Sequence, residues 1–217
     1  MLQAVITGIS KKDRALVYFY LLFIISLLAA AYARGLFVVH GPVNAVTPER
    51  LQKFLAFYRE NFFSEISVIF INNSAAALIL IYFTPLAILL KRRLVFLRSA
   101  GEDLTKWDRL LLYGFPVFFL IKQGIVIGLK LSGFADQIGE SLLTTFIGII
   151  FPHLSLEALA LCLAAVLGLH VTRRCLAGDA LGYGLKAATL AVVALVAAAA
   201  LLEVSVTPKV FAFFMIG

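Results

Sequence analysis

Five apolar stretches, each long enough to cross a bilayer, constrain the fold of this chain more than any other feature of its sequence. A helix needs about 20 consecutive apolar residues to span the hydrocarbon core of a membrane. The stretches run from about 15 to 34, 66 to 90, 110 to 129, 141 to 170 and 186 to 207. They predict an all-α polytopic bundle with five spans, which forms a single integral membrane domain over residues 1–217.

The composition excludes a water-soluble protein. Hydrophobic residues make up 62% of the chain and charged residues only 14%, whereas soluble domains carry about 25% charged residues. The net charge of +7 would suggest a nucleic-acid partner in a soluble chain, but the basic residues lie between the apolar stretches and no nucleic-acid-binding motif accompanies them. The partner that the composition predicts is the lipid bilayer.

The first stretch has some features of a secretory signal. Basic residues precede it, and Ala31-Tyr32-Ala33 resembles a cleavage site. The apolar run is long for a signal sequence, so we interpret it as a retained span.

The fourth stretch predicts a broken helix. Thirty residues would form a helix of about 45 Å, and Pro152 lies inside the stretch. Because proline disrupts a helix near its position, we expect a re-entrant half-helix over 141–151 followed by a span over 153–170. Irregular backbone at membrane depth is tolerated only where it is buried in protein or lines a wet cavity, so the break indicates a site.

Two connecting segments carry helix-start signals. Thr47-Pro48 precedes apolar residues at helical spacing and predicts an amphipathic surface helix over about 48–64. Thr105 and Asp108 have the spacing of a capping box at the start of the third helix.

Lysine and arginine are distributed unequally between the two sides of the predicted bundle. The side of the N-terminus collects 12 of them and the opposite side 6, while Lys122 lies within a span. The positive-inside rule then places the N-terminus in the cytoplasm and the C-terminus outside. We therefore predict a multi-pass protein of the cytoplasmic membrane.

Seven polar residues lie within or beside the predicted spans. Such residues are costly in a membrane and are functional-site hypotheses by default. They are Asn72, Asn73, Lys122, Gln123, His153, Glu157 and Glu203. At a rise of about 1.5 Å per residue, four of them lie in the middle or outer part of the bilayer: Asn72, Lys122, Glu157 and Glu203.

We therefore predict a polar cluster that opens toward the outer side. His153 and Glu157, four residues apart, share one helix face, and Lys122 could neutralise Glu157 or Glu203. One interpretation is a working site. The other is that these groups only join helices through hydrogen bonds, as polar side chains often do in membranes.

The sequence contains no motif for catalysis or for a cofactor. HExxH, GxSxG and Walker A patterns are absent from it, so we expect neither an enzyme nor a cofactor. His153 and Glu157 could supply two metal ligands and Glu203 a third, but a zinc site usually has three or four. The sequence alone therefore predicts no metal site.

Gly124 and Gly128 form a small-residue face on the third span. Such faces let two helices approach closely. Packing inside one chain and a homodimer are both consistent with the spacing.

Several segments together resemble the stage II sporulation protein M family of bacterial and archaeal membrane proteins. They are Phe70-Ile71-Asn72-Asn73, Phe151-Pro152-His153-Leu154-Ser155-Leu156-Glu157, Gly168-Leu169 and Leu202-Glu203-Val204-Ser205-Val206-Thr207-Pro208. The similarity covers roughly residues 60–210. Leu154 and Leu159 stand where the family commonly has glycine and proline, so the helix after the break is expected to be more regular here.

The resemblance implies a non-catalytic membrane scaffold or assembly protein. The eponymous member sits in a membrane complex with cell-wall-degrading enzymes during engulfment, so the implied partners are other membrane or envelope proteins. The alternative is a transporter or channel subunit that binds an ion or small solute at Lys122, His153, Glu157 and Glu203, because broken helices are a common transporter device.

A cysteine at position 98 tests the predicted orientation. We expect the R98C thiol to react only with reagents applied from the cytoplasmic side, because Arg98 belongs to the basic segment after the second span. If the R98C thiol instead reacts only with reagents applied from outside the cell, the predicted orientation is wrong.

Overall fold

The computed structural model describes residues 2–37, 52, 56, 59–95, 105–138, 151–179 and 182–210. Its long elements in this part of the chain are five α-helices, and no strand occurs there. The helices are α1 (Leu2–Phe37), α2 (Phe62–Val95), α3 (Lys106–Ile138), α4 (Phe151–Ala177) and α5 (Tyr183–Ser205).

Each of the five helices is long and apolar enough to cross a membrane. The candidate spans are Ala15–Arg34, Phe62–Lys91, Lys106–Gly133, His153–Ala177 and Gly184–Val210. The predicted all-α fold and its five spans are confirmed. The helices extend beyond most of the predicted bounds because polar residues at the ends of an apolar stretch continue a helix as readily as they end it.

The helix contacts show which helices run parallel. On α3, Gly124 faces Phe23 of α1 and Gly128 faces Leu27, so residue numbers increase together on the two helices. On α4, Gly168 faces Leu80 of α2, and Thr172 bonds to Thr84 one turn later. Helix α1 is thus parallel to α3, and α2 is parallel to α4, as expected for a chain that crosses a membrane in alternating directions.

Helix α4 is the centre of the bundle. It contacts α2 and α5 most and also reaches α1 and α3. Half of the residues in its most apolar 18-residue segment are buried, compared with 22–33% in the corresponding segments of the other four helices. Its buried face consists mainly of small side chains, which let the neighbouring helices approach closely. They are Ala158, Ala160, Cys162, Ala164 and Ala165.

Glycine is required at three helix contacts. A Cβ atom on Gly128 would lie 2.1 Å from the carbonyl oxygen of Leu27, and one on Gly124 would lie 2.7 Å from that of Phe23. A Cβ on Gly168 would lie 2.2 Å from the carbonyl oxygen of Leu80. Because the opposing atoms belong to the backbone, they cannot move aside. In this structure Gly124 and Gly128 therefore pack against α1 of the same chain.

Polar contacts connect the helices at the end of the bundle where α3 begins. Lys91 of α2 forms an ion pair with Asp108 of α3 at 2.5 Å. The Thr105 hydroxyl accepts a hydrogen bond from the Asp108 backbone N–H at 3.2 Å, and the Asp108 carboxylate accepts one from the Thr105 backbone N–H at 2.7 Å. This reciprocal pair confirms the predicted capping box.

Two predicted segments fall largely outside the described residues. The half-helix over 141–151 shares only Phe151 with them, and Phe151 is the first described residue of α4. The surface helix over 48–64 overlaps them at 52, 56 and 59–64, and its last three residues belong to α2. Both segments stay predictions.

Alanine at Gly128 tests the close approach of α1 and α3. We expect Gly128→Ala to destabilise the protein by about 1–3 kcal/mol, because overpacking against backbone cannot relax. The measurement is thermal unfolding of the purified protein in detergent.

Gly184→Ala is the matched control, since a Cβ on Gly184 of α5 would meet no atom within 4 Å. Alanine is the better helix former by up to about 1 kcal/mol, so this variant should be neutral or slightly more stable. Equal losses of stability in the two variants would contradict the close approach.

Candidate functional site

Three side chains that can bind a cation come together where α4 begins and α5 ends. His153 and Glu157 lie one turn apart on α4, and Glu203 lies near the end of α5. One ligand atom from each of the three residues lies within 4.8 Å of the others. We refer to His153, Glu157 and Glu203 as the interhelical cluster.

Glu157 is held by an amide from α2. The Asn73 side-chain N–H donates a short hydrogen bond to Glu157 Oε1. Both residues lie in partly buried positions. The amide thus fixes one carboxylate oxygen of the interhelical cluster and ties α2 to α4.

His153 is held by a hydroxyl beyond the end of α5. Its side chain is only 8% exposed, and its Nδ1 lies 2.9 Å from Thr207 Oγ1. Helix α5 ends at Ser205, and the Val206 N–H caps it by bonding to the Leu202 carbonyl. The chain then makes a new helical turn at Thr207, with Pro208 in that first turn as proline prefers. This turn holds the Thr207 hydroxyl beside the imidazole.

Glu203 has charged neighbours and no hydrogen-bond donor. When both are ionised, Glu203 and Glu157 repel each other, and Glu65 of α2 adds to the repulsion on Glu203. Lys130 of α3 attracts it. Within the described part of the chain, the Glu203 carboxylate accepts no hydrogen bond. A partly buried carboxylate without a donor is costly in an apolar bundle.

The structure does not bring all the predicted residues to this site. Asn72 and Lys122 have exposed side chains, and Gln123 is partly buried. Among the described residues, Lys122 forms no ion pair with Glu157 or Glu203. The expected neutralisation by Lys122 is therefore not what the structure contains.

Three residues at the site were not among the predicted site residues. Thr207 lies in the Glu-x-x-x-Thr-Pro ending that carries the family resemblance, and this motif was the available signal. Glu65 and Lys130 lie just outside the predicted spans, where charged residues are common, so no sequence signal separated them from other charged residues at the membrane surface.

The comparison with protein families decides the relationship of the chain. A family model described as Stage II sporulation protein M matches residues 15–208. The chain belongs to the stage II sporulation protein M family. The match includes α1 from residue 15 onward, which the resemblance over residues 60–210 did not reach. It also contains the whole interhelical cluster with Asn73 and Thr207.

Comparison with curated proteins and with solved structures finds no match to the chain. The arrangement of the ligand atoms in the interhelical cluster is therefore the basis for any functional conclusion. One imidazole and two carboxylates that face one another from two helices can bind a cation or share a proton. Neither catalysis nor a scaffold role follows from that geometry by itself.

Cross-linking distinguishes Asn73 from Asn72 as the partner of Glu157. In a background without Cys162 and Cys175, we expect cysteines at positions 73 and 157 to be joined within one chain by a short thiol-reactive cross-linker. The Asn73 side chain contacts Glu157, whereas the Asn72 side chain is exposed.

The pair of cysteines at 72 and 157 is the control. It should react far more slowly, because neighbouring residues on a helix point about 100° apart. A faster reaction for the pair 72 and 157 would contradict the assignment of Asn73.

Proposed function

We propose that this family member is a non-catalytic, multi-pass protein of the cytoplasmic membrane that binds a small cation at the interhelical cluster, as a transporter or channel subunit does. The observation that carries the proposal is the approach of Glu157 and Glu203 to each other and to His153 within 4.8 Å. Two ionised carboxylates at this separation, with apolar helices around them, are costly unless a bound cation or a proton neutralises them.

The rest of the bundle shows what purely structural polar contacts look like in this protein. Thr84 bonds to Thr172 at 2.6 Å, and Tyr82 lies 3.1 Å from Thr189. In each pair the two side chains are neutral and form a hydrogen bond with each other. The interhelical cluster differs because it places two acidic groups together and, among the described residues, offers Glu203 no hydrogen-bond donor, which favours a binding site over a structural contact.

The position of the interhelical cluster favours access from one side of the membrane. His153 and Glu157 lie 24 and 20 residues before the end of α4 at Ala177, or about 36 and 30 Å along the helix, so they lie near its opposite end. With the N-terminus in the cytoplasm, this end of α4 faces outward. Lys130 and Glu65, which act on Glu203, belong to the same outer end of the bundle.

A scaffold is the second candidate function. The observation that favours it is the close contact of helix backbones at Gly124, Gly128 and Gly168, where no side chain fits between the helices. Such contacts make a rigid bundle, which suits a protein that holds other membrane or envelope proteins in place. The family relationship supports this candidate as well.

Neutralising each carboxylate separates the two candidates. The protein is purified in detergent, and its thermal unfolding is followed with sodium, potassium, magnesium, calcium or zinc chloride at constant ionic strength. We expect at least one cation to raise the unfolding temperature of the wild type, because a ligand that binds only the folded state stabilises it by about 2.7 kcal/mol at 100 times its Kd. Glu157→Gln and Glu203→Gln should remove this response.

Glu60→Gln is the control, because Glu60 is an exposed carboxylate outside the interhelical cluster. It should respond to the cation as the wild type does. If no cation changes the stability of the wild type, and the two cluster variants only lower the unfolding temperature, the binding proposal fails and the scaffold remains.

A further inference from the structure

We propose that the interhelical cluster is a binding site for a divalent first-row transition metal ion, with His153, Glu157 and Glu203 as its protein ligands. This inference rests on the proposed cation-binding function and names the class of ion. It is argued from the donor atoms, from their supporting contacts and from the charge that surrounds them.

The donor set discriminates among cations. Carboxylates alone suit magnesium, calcium or manganese, whereas an imidazole ligand suits zinc, iron, copper and nickel. A metal with ligands at about 2.0–2.2 Å has neighbouring ligand atoms roughly 3–4 Å apart. The ligand atoms of the interhelical cluster lie within 4.8 Å of one another, which is close to the separation that one shared ion requires.

Two of the three proposed ligands, His153 and Glu157, have the supporting hydrogen bonds that metal ligands usually have. Metal-binding histidines almost always use their second ring nitrogen in a hydrogen bond, which fixes the ring orientation, and metal-binding carboxylates are hydrogen-bonded in turn. Here His153 Nδ1 contacts Thr207, which leaves Nε2 for a metal, and Asn73 donates to Glu157.

The charge of the site favours a divalent ion over a monovalent one. Two ionised glutamates and a neutral histidine carry a charge of −2, and a divalent cation balances it. A monovalent ion would leave one negative charge in apolar surroundings, which is costly. Lys122 does not pair with either glutamate within the described residues, so it does not supply the second positive charge.

Three protein ligands leave coordination positions open. Closed structural zinc sites have four protein ligands, whereas a site with three keeps a position for water or another molecule. An ion held in this way can exchange, which agrees with a protein that takes up or passes on a metal.

Cobalt is the probe for the test, because Co²⁺ bound by nitrogen and oxygen ligands absorbs visible light. The full chain is purified in detergent without a histidine tag and titrated with Co²⁺. We expect one Co²⁺ per chain in the wild type, displaced by Zn²⁺ and not by equimolar Mg²⁺ or Ca²⁺. His153→Ala, Glu157→Gln and Glu203→Gln should each lose at least tenfold in Co²⁺ affinity.

His170→Ala is the matched control. His170 lies on the same helix as His153 but at its other end, and its side chain is exposed. This variant should bind Co²⁺ as the wild type does. Equal Co²⁺ binding by all the variants, or none by the wild type, overturns the metal inference.

Thr207 provides a second, milder test in case the ligand variants do not fold. Loss of such a supporting contact lowers metal affinity about 10–100-fold, and we expect this loss in Thr207→Val. Thr207→Ser keeps the hydroxyl and should restore the affinity. If Thr207→Val and Thr207→Ser bind Co²⁺ equally to the wild type, the hydroxyl does not position His153 for a metal.

The results separate this inference from the proposed function. If Co²⁺ does not bind but another cation still stabilises the wild type and not the glutamate variants, the cation site stands and the transition-metal assignment is wrong. If no cation has a glutamate-dependent effect, both proposals fail.

Discussion

The fold depends on the close contact between helix backbones at a few small residues. Inside a bilayer the lipid is as apolar as the side chains, so helices associate through close packing and hydrogen bonds rather than through release of water. Gly168 meets the Leu80 carbonyl, and Gly128 meets that of Leu27, at separations that leave no room for a Cβ atom. These contacts fix two parallel helix pairs, α1 with α3 and α2 with α4.

The position of the interhelical cluster follows from the α2 and α4 pair. The contact at Gly168 and the Thr84–Thr172 hydrogen bond set the rotation of α4 against α2 in one half of the bundle. With that rotation fixed, the same two helices bring Asn73 to Glu157 nearer the other end. Glu203 of α5 and Thr207, just beyond the end of α5, then complete the site. A change at a glycine far from the site should therefore also disturb its geometry.

The sequence predicted the spans well and the site only in part. The reason is that a sequence does not report how each helix is rotated about its own axis within the bundle. Hydropathy reports how long a helix is, so the five spans could be found. Spacing of four residues reports a shared face, so His153 and Glu157 could be paired. Which face of one helix meets another depends on tertiary packing, so Asn72 could not be distinguished from Asn73, and Lys122 was assigned to a site that it does not join. Proline was similarly ambiguous, because Pro85 and Pro116 lie inside continuous helices.

The two candidate functions are connected through the same three helices. The interhelical cluster and its supporting contacts involve α2, α4 and α5, while α1 and α3 are joined chiefly by glycine contacts and the bond from Arg34 to the Leu129 carbonyl. A ligand that binds only the folded state adds its binding free energy to stability. A cation at the interhelical cluster would therefore strengthen the α2, α4 and α5 group selectively, since it bridges carboxylates that otherwise repel each other. Cation binding and the glycine contacts then stabilise the same packed state. The glycine contacts therefore suit a cation-binding protein as well as a scaffold, and only the response to a cation distinguishes these two functions.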